Sequence, residues 1–190
     1  MPLIETEFLG DGWAYEVFTP DTAPSEFGPA ASFVELWNSK RAGTALPAWK
    51  DFQIEEFGPW YGWLALEELL PAEGYESLFR LWGNRLVDSF DIELTNTRFS
   101  DAVCKVYSPD EVRFWLWLSR THFIARATGT MDWLEHFHRL HGRSYIDITL
   151  PLADDGTTVD RYLTVTVVIA PGAAGDERHS VFGAKPQPGT

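Results

Sequence analysis

The chain has 190 residues, 45% of them hydrophobic and 15% aromatic, and its 28 acidic against 15 basic side chains give a formal charge of −13. That length accommodates one domain that buries about 70% of its unfolded surface. The acidity argues against a nucleic-acid partner, no apolar stretch nears the roughly 20 residues of a membrane span, and a single cysteine, Cys104, excludes an intrachain disulfide, so a cytoplasmic, reducing location is expected.

The charge is unevenly placed. Residues 1–31 carry six acids and no base, yet hold Phe8, Leu9, Trp13, Tyr15, Val17 and Phe18. Such a segment is too aromatic for an ordinary disordered tail, and it is expected to be an arm that docks. Residues 32–170 form the body, and residues 171–190, rich in Gly, Ala and Pro, read as a flexible tail.

Within the body, Ser32 is a candidate N-cap for a short helix carrying Phe33, Leu36 and Trp37, which Gly43 can stop. Alternation through Gly62–Glu67 and Leu78–Trp82 predicts two adjacent antiparallel strands. Asn84 to Phe90 has helical spacing, and Ser108-Pro109-Asp110-Glu111 opens a second helix through Trp115 and Leu116. Three strand candidates follow, at Phe123–Thr128, Tyr145–Leu150 and Tyr162–Ile169, the last two joined through the turn residues Asp154-Asp155-Gly156. The order is helix, two strands, helices, three strands. An α+β fold with a five-stranded antiparallel sheet and helices packed on one face accommodates it.

Specific words accompany that order: Leu36-Trp37, Leu46-Pro47-Ala48-Trp49-Lys50-Asp51-Phe52, Phe79-Arg80-Leu81-Trp82-Gly83-Asn84 with Phe90, and Leu150-Pro151-Leu152 with Asp155-Gly156 and Val159-Asp160-Arg161. Together, over about residues 33–169, they make the chain resemble the PAS-like family of short, often stand-alone alphaproteobacterial proteins formerly listed as a domain of unknown function. The sequence departs from that pattern at Trp49-Lys50, where an Arg is usual, and at Glu93-Leu94-Thr95-Asn96, which lacks the usual Gly. The resemblance implies sensing or protein interaction, through a core pocket or across the sheet, and does not imply catalysis.

Enzyme-like chemistry finds little support. Glu135, His136, His138 and His141 cluster with His122 upstream, but no His-Glu-x-x-His order is present, and a solvated, partly packed segment explains them better than a metal. Haem in the PAS family is usually held by a His on the helix after the second strand, and Asn84–Phe90 contains none. Cys104 beside Lys105 has no orienting base in sequence. The pairs Glu55-Glu56, Glu67-Glu68 and Asp154-Asp155 are adjacent residues that diverge into solvent, and no Gly-rich phosphate loop occurs. No cofactor and no metal are predicted.

Two surfaces remain. Leu64, Phe79, Leu86, Phe90, Trp117, Phe123, Ile148 and Val165 are the candidate lining of a helix-side pocket for a small apolar or aromatic ligand, closed packing being the plainer reading. Trp63, Arg80, Trp82, Tyr145, Asp147 and Tyr162 form the opposite, candidate interaction face. It is covered either by the N-terminal arm, through Trp13, Tyr15, Val17 or Phe18, or by a second copy or a signalling partner, and Arg80 and Asp147 are expected to pair across it. The reading is a stand-alone PAS-like sensory or regulatory module that binds a small molecule, a protein, or both, without catalysis. The alternative is a small cone-type α+β enzyme, isomerase or hydrolase-like, with Asp147 as its pocket acid.

Overall fold

The computed structural model describes residues 4–8, 13–73, 76–106, 109–119, 121–130 and 144–169. Among these described residues, seven strands form one antiparallel sheet: β1 (Ile4–Phe8), β2 (Trp13–Phe18), β3 (Leu64–Leu70), β4 (Glu76–Trp82), β5 (Ile124–Thr130), β6 (Ser144–Leu152) and β7 (Arg161–Ile169). Their spatial order is β1-β2-β5-β6-β7-β3-β4. Helix α1 (Ala31–Ser39) precedes β3, whereas α2 (Asn84–Phe90), α3 (Phe99–Val106) and α4 (Pro109–Leu118) lie between β4 and β5. The expected order of helix, two strands, helices and three strands is therefore present, with α3 and the β1–β2 hairpin added to it.

Both faces of the sheet are covered, not one. On one face, Leu64, Leu66, Ile146, Ile148, Leu150, Leu163 and Val165 are buried with Phe27, Phe33, Val34, Trp37, Phe52 and Phe57 from α1 and the 3-10 segments around it. On the other, Ala65, Phe79, Trp82, Tyr145 and Tyr162 are buried with Leu86 and Phe90 of α2, Phe99 and Ala102 of α3, and Phe114 and Leu118 of α4. Alternation correctly groups the residues of β6 and β7 by face. The branched aliphatic set, however, meets the N-terminal layer, and the Tyr-bearing set meets the helices that follow β4.

The arm also docks differently from the expectation. Its strand β2 pairs edge-on with β5, from Trp13↔Gly129 to Phe18↔Ile124, and β1 pairs with β2. Glu16 and Arg126 stand opposite each other in this register, and Arg126 Nε donates to Glu16 Oε2 over 2.6 Å. Both are buried, and Arg126 Nη1 also donates to the Glu26 carbonyl at 2.6 Å while the guanidinium lies 5.1 Å from the Phe18 ring centre. Hydrogen bonding and charge are thus satisfied inside the joint that fixes the arm. Tyr15 and Val17 enter the α2–α4 core, and Phe18 enters the other.

Local chemistry explains several boundaries. Helix α1 starts after Ala30, which gives no side-chain cap, so Ser32 lies inside the first turn. Trp37 Nε1 on this helix donates to the Pro151 carbonyl at 3.0 Å, tying α1 to β6. Helix α2 is capped by the Gly62 carbonyl, which accepts from the Arg85 and Leu86 amides at 3.0 and 3.2 Å. That contact requires two glycines: Gly62 has φ +95°, and a Cβ on Gly83 would sit 2.2 Å from the Gly62 oxygen. The final hairpin is stitched to the loop before β3, the Leu46 amide bonding to Gly156 O and the Ala153 amide to Pro47 O.

Candidate functional site

A β-bulge shapes the far end of the sheet. In the β3–β4 ladder Leu66 opposes Leu81 but Glu67 opposes Phe79, so Arg80 is the extra residue. Phe79 and Trp82, three positions apart, consequently both enter the α2–α4 core. Arg80 is exposed and pairs with Glu68. It does not pair with Asp147: the order β4-β3-β7-β6 separates their strands by three steps, about 14 Å at the usual strand spacing.

Glu67 lies between Phe79 on β4 and Tyr162 on β7, on the face roofed by α3 and α4. A cavity of about 20 Å3, space for roughly one water, opens beside it. The polar residues of its lining are Glu67, Ser77, Thr149, Ser119 and Tyr162. The apolar wall comes from Leu69, Phe99, Trp115 and Leu116.

The electrostatics of this cavity are distinctive. Ser77 Oγ donates to Glu67 Oε2 at 2.8 Å, and no cation pairs with Glu67 among the described residues. Burial pushes the Glu67 carboxyl up to about 7; the Ser77 hydrogen bond opposes that shift, and the negative charge of Glu76 adds to it. Glu76 moves the other way. Burial works against its charge, but hydrogen bonds from Ser100 and from the Ser77 amide hold it below the usual carboxylate range. One strand end therefore carries an ionised acid beside an acid poised near neutrality.

Tyr162 is buried, and its hydroxyl donates toward the Leu118 and Thr121 carbonyls, which lie at 2.6 and 2.9 Å. Burial raises its phenol well above the ordinary value, so it stays neutral. Thr149 and Thr164 hydroxyls bond to each other at 2.9 Å. Trp115 Nε1, by contrast, is buried with no hydrogen-bond partner among the described residues. Its ring is held edge-on by Tyr15 and Phe114, with centroids 6.2 and 5.3 Å away. A carboxyl without a counter-charge among the described residues and the Trp115 side chain thus line one cavity.

The sequence-predicted sites are redistributed. Leu64, Ile148 and Val165 belong to the core under the N-terminal layer, whereas Phe79, Leu86 and Phe90 belong to the core under α2–α4, so they cannot line one pocket. Phe123 packs at the margin of the second core and Trp117 is exposed. Of the candidate interaction face, Trp82, Tyr145 and Tyr162 are buried beneath helices; Trp63 and Asp147 are half-buried, and only Arg80 is exposed. Asp147 sits in β6 opposite Ala127 and Thr166. The helices between β4 and β5 occupy the face reserved for the arm or a partner. Trp115 and Leu116, expected on the helix side either to fill the core or to line a pocket, do line this cavity, whereas Glu67 and Ser77 were missed as site residues. Glu67 occupies an inward position of an alternating strand, which was the available signal.

The segment with His136, His138 and His141 lies outside the described residues. Among the described residues no group of three His, Cys, Asp or Glu side chains could hold a metal, and no helix is long and apolar enough to cross a membrane. Comparisons with protein-family models, curated proteins and solved structures return no match for this chain.

Proposed function

We propose that the chain is a PAS-like sensory or regulatory module that binds a small molecule between the sheet and α4 and passes its occupancy to a partner protein. The observation that carries this reading is the cavity itself, which Glu67 lines without a counter-charge among the described residues and beside which Trp115, Phe99 and Leu116 form an apolar wall. Buried polar groups are ordinarily satisfied, and a ligand that gives the Glu67 carboxyl a partner is favoured by the desolvation it has already undergone. The element order of two strands, helices and three strands, which prompted the PAS resemblance, supports the same view. A route outward exists along α4. Trp117, two residues from Trp115, is exposed and packs on Phe114 and Phe123 at centroid distances of 5.9 and 6.4 Å.

The enzyme alternative shifts from Asp147 to Glu67. A cavity carboxyl near 7 has the proton affinity of a general base. Against catalysis, the Tyr162 hydroxyl is committed to backbone carbonyls, the Ser119 hydroxyl to the Leu116 carbonyl, and the Thr149 hydroxyl to that of Thr164. The test is native mass spectrometry of freshly purified protein, with thermal-shift screening against a metabolite panel and mass-spectrometric inspection of each hit for turnover. A bound, unaltered molecule whose stabilisation disappears when Ser119→Leu fills the cavity is expected. Hits that are indifferent to Ser119→Leu, or no hit at all, would overturn the pocket reading, and product formation would favour the enzyme.

A further inference from the structure

We propose that the outer edge of β1 is a docking site where an extended, basic segment of a partner protein adds to the sheet as a further strand. This contact rests on the partner half of the reading above and on nothing in the cavity. The two ends of the sheet differ. Strand β4, at one end, is closed: the Phe79 amide donates to the Thr97 carbonyl at 3.0 Å, the Asn96 amide donates to the Phe79 carbonyl at 2.7 Å, and Leu78 bridges Arg98. The bulge at Arg80 interrupts the same edge. Cover and bulges are the devices that keep an edge from pairing. Strand β1, at the other end, pairs with β2 alone among the described residues. About half of its five residues therefore turn an N–H and a C=O away from β2, and the structure that matches such a row is another extended strand.

Charge selects which strand. Glu5 and Glu7 are the charged residues of β1, and residues 1–31 contain no base. The register sets Glu5 opposite Glu16 and Glu7 opposite Ala14, so β2 offers neither of them a positive charge. Arg126, on the next strand, is committed to Glu16 and to the Glu26 carbonyl. Edge charges ordinarily discourage pairing, but two of one sign discriminate as well, repelling an acidic strand and attracting a basic one. A second copy is the disfavoured occupant, because aligning two β1 strands antiparallel about Thr6 sets Glu5 against Glu7 twice. The platform beneath the edge is fixed. Strand β2 pairs with β5 from Trp13 to Phe18, and Tyr15, Val17 and Phe18 are buried. An incoming strand thus meets a preordered edge, which limits the entropy lost on binding.

The test is amide hydrogen exchange and chemical-shift titration of the full chain by NMR, with three short capped peptides as probes. One alternates Lys with Val, the second replaces each Lys by Glu, and the third is the Lys peptide with N-methylated amides along one edge. In the free, dilute chain the outward amides of β1 are expected to exchange rapidly while those of the β2–β5 ladder are protected. The Lys peptide should slow the outward β1 amides at least about fivefold and bind about tenfold more tightly than the Glu peptide at low ionic strength, the preference shrinking as salt is added. N-methylation should abolish binding, because it removes ladder bonds and leaves the charge. Changing Glu5→Lys together with Glu7→Lys should reverse the preference between the Lys and Glu peptides, with the β2–β5 amides still protected to show that the arm remains docked. Four results would each overturn the assignment. They are slow exchange of the outward β1 amides in the free chain, meaning that this chain or a second copy already covers the edge; equal binding of the Lys and Glu peptides; undiminished binding of the N-methylated peptide, which makes the contact electrostatic alone; and no binding of any probe. None of these readouts involves the cavity, so the pocket stands or falls separately, on the metabolite panel and Ser119→Leu.

Discussion

Replacing Glu67 by Gln isolates the energetic consequence of placing a carboxyl in this cavity. The amide keeps a carbonyl oxygen for the Ser77 hydroxyl and removes the titration. The native carboxyl holds its proton up to about 7, whereas in the unfolded chain it releases it near the ordinary 4.5. Between those values the native state binds more protons than the unfolded state, so stability falls as pH rises through the window and the loss is complete above it. At about 1.4 kcal/mol per unit, the full loss is about 3 kcal/mol. Relative to the native chain, Glu67→Gln should therefore gain about 1 kcal/mol near pH 5 and about 3 kcal/mol near pH 8. For a chain of this size that corresponds to roughly 6–12 °C in Tm at the alkaline end. Paired calorimetric melts across the range read the difference directly, because other titrating groups cancel. Parallel Tm curves for the two proteins from about pH 5 to 8 would refute the argument that Glu67 is desolvated and uncompensated.

Other perturbations test the joints that position the cavity. Gly83→Ala drives a Cβ to 2.2 Å from the Gly62 carbonyl oxygen, a backbone atom that cannot rotate away, and should cost about 2–3 kcal/mol or more in urea denaturation. Arg126→Met strands the buried Glu16 carboxyl and should cost about 3–5 kcal/mol, while the double change Glu16→Leu with Arg126→Met should recover most of it; equal losses in single and double variants would deny the pair its role. The Asp155 carboxylate, held low by hydrogen bonds from the Thr158 and Thr157 amides, stabilises its turn above the ordinary carboxylate range and loses that contribution as pH falls through its depressed value. Asp155→Ala should accordingly speed hydrogen exchange at the Leu46 amide, whose acceptor is Gly156 O in that turn, and the difference from the native chain should shrink on acidification.

Sequence alone determined which residues share a face. Alternation in β6 and β7 separates Ile146, Ile148, Leu150, Leu163 and Val165 from Tyr145 and Tyr162, and the structure buries the two sets in different cores. It also located α2 at Asn84–Phe90, because a short run with helical spacing between strands has few alternatives. Periodicity carries no information about which layer covers which face. That depends on where α1 and α2–α4 lie relative to the sheet, and there the long-range packing placed the N-terminal layer on the aliphatic side and the helices after β4 on the tyrosine side. The β-bulge at Arg80 defeats alternation for a related reason: one extra residue changes parity, and only the partner strand reveals it. The partnership of the arm with β5 is likewise non-local, joining residues about a hundred positions apart. Glu67 looked like half of a solvated Glu67-Glu68 pair because sequence gives neighbours but not depth. Tertiary structure separated the two, turning Glu68 toward Arg80 at the edge and Glu67 into the cavity beside Ser77, where the loss of water without a counter-charge gives it a proton affinity near neutrality.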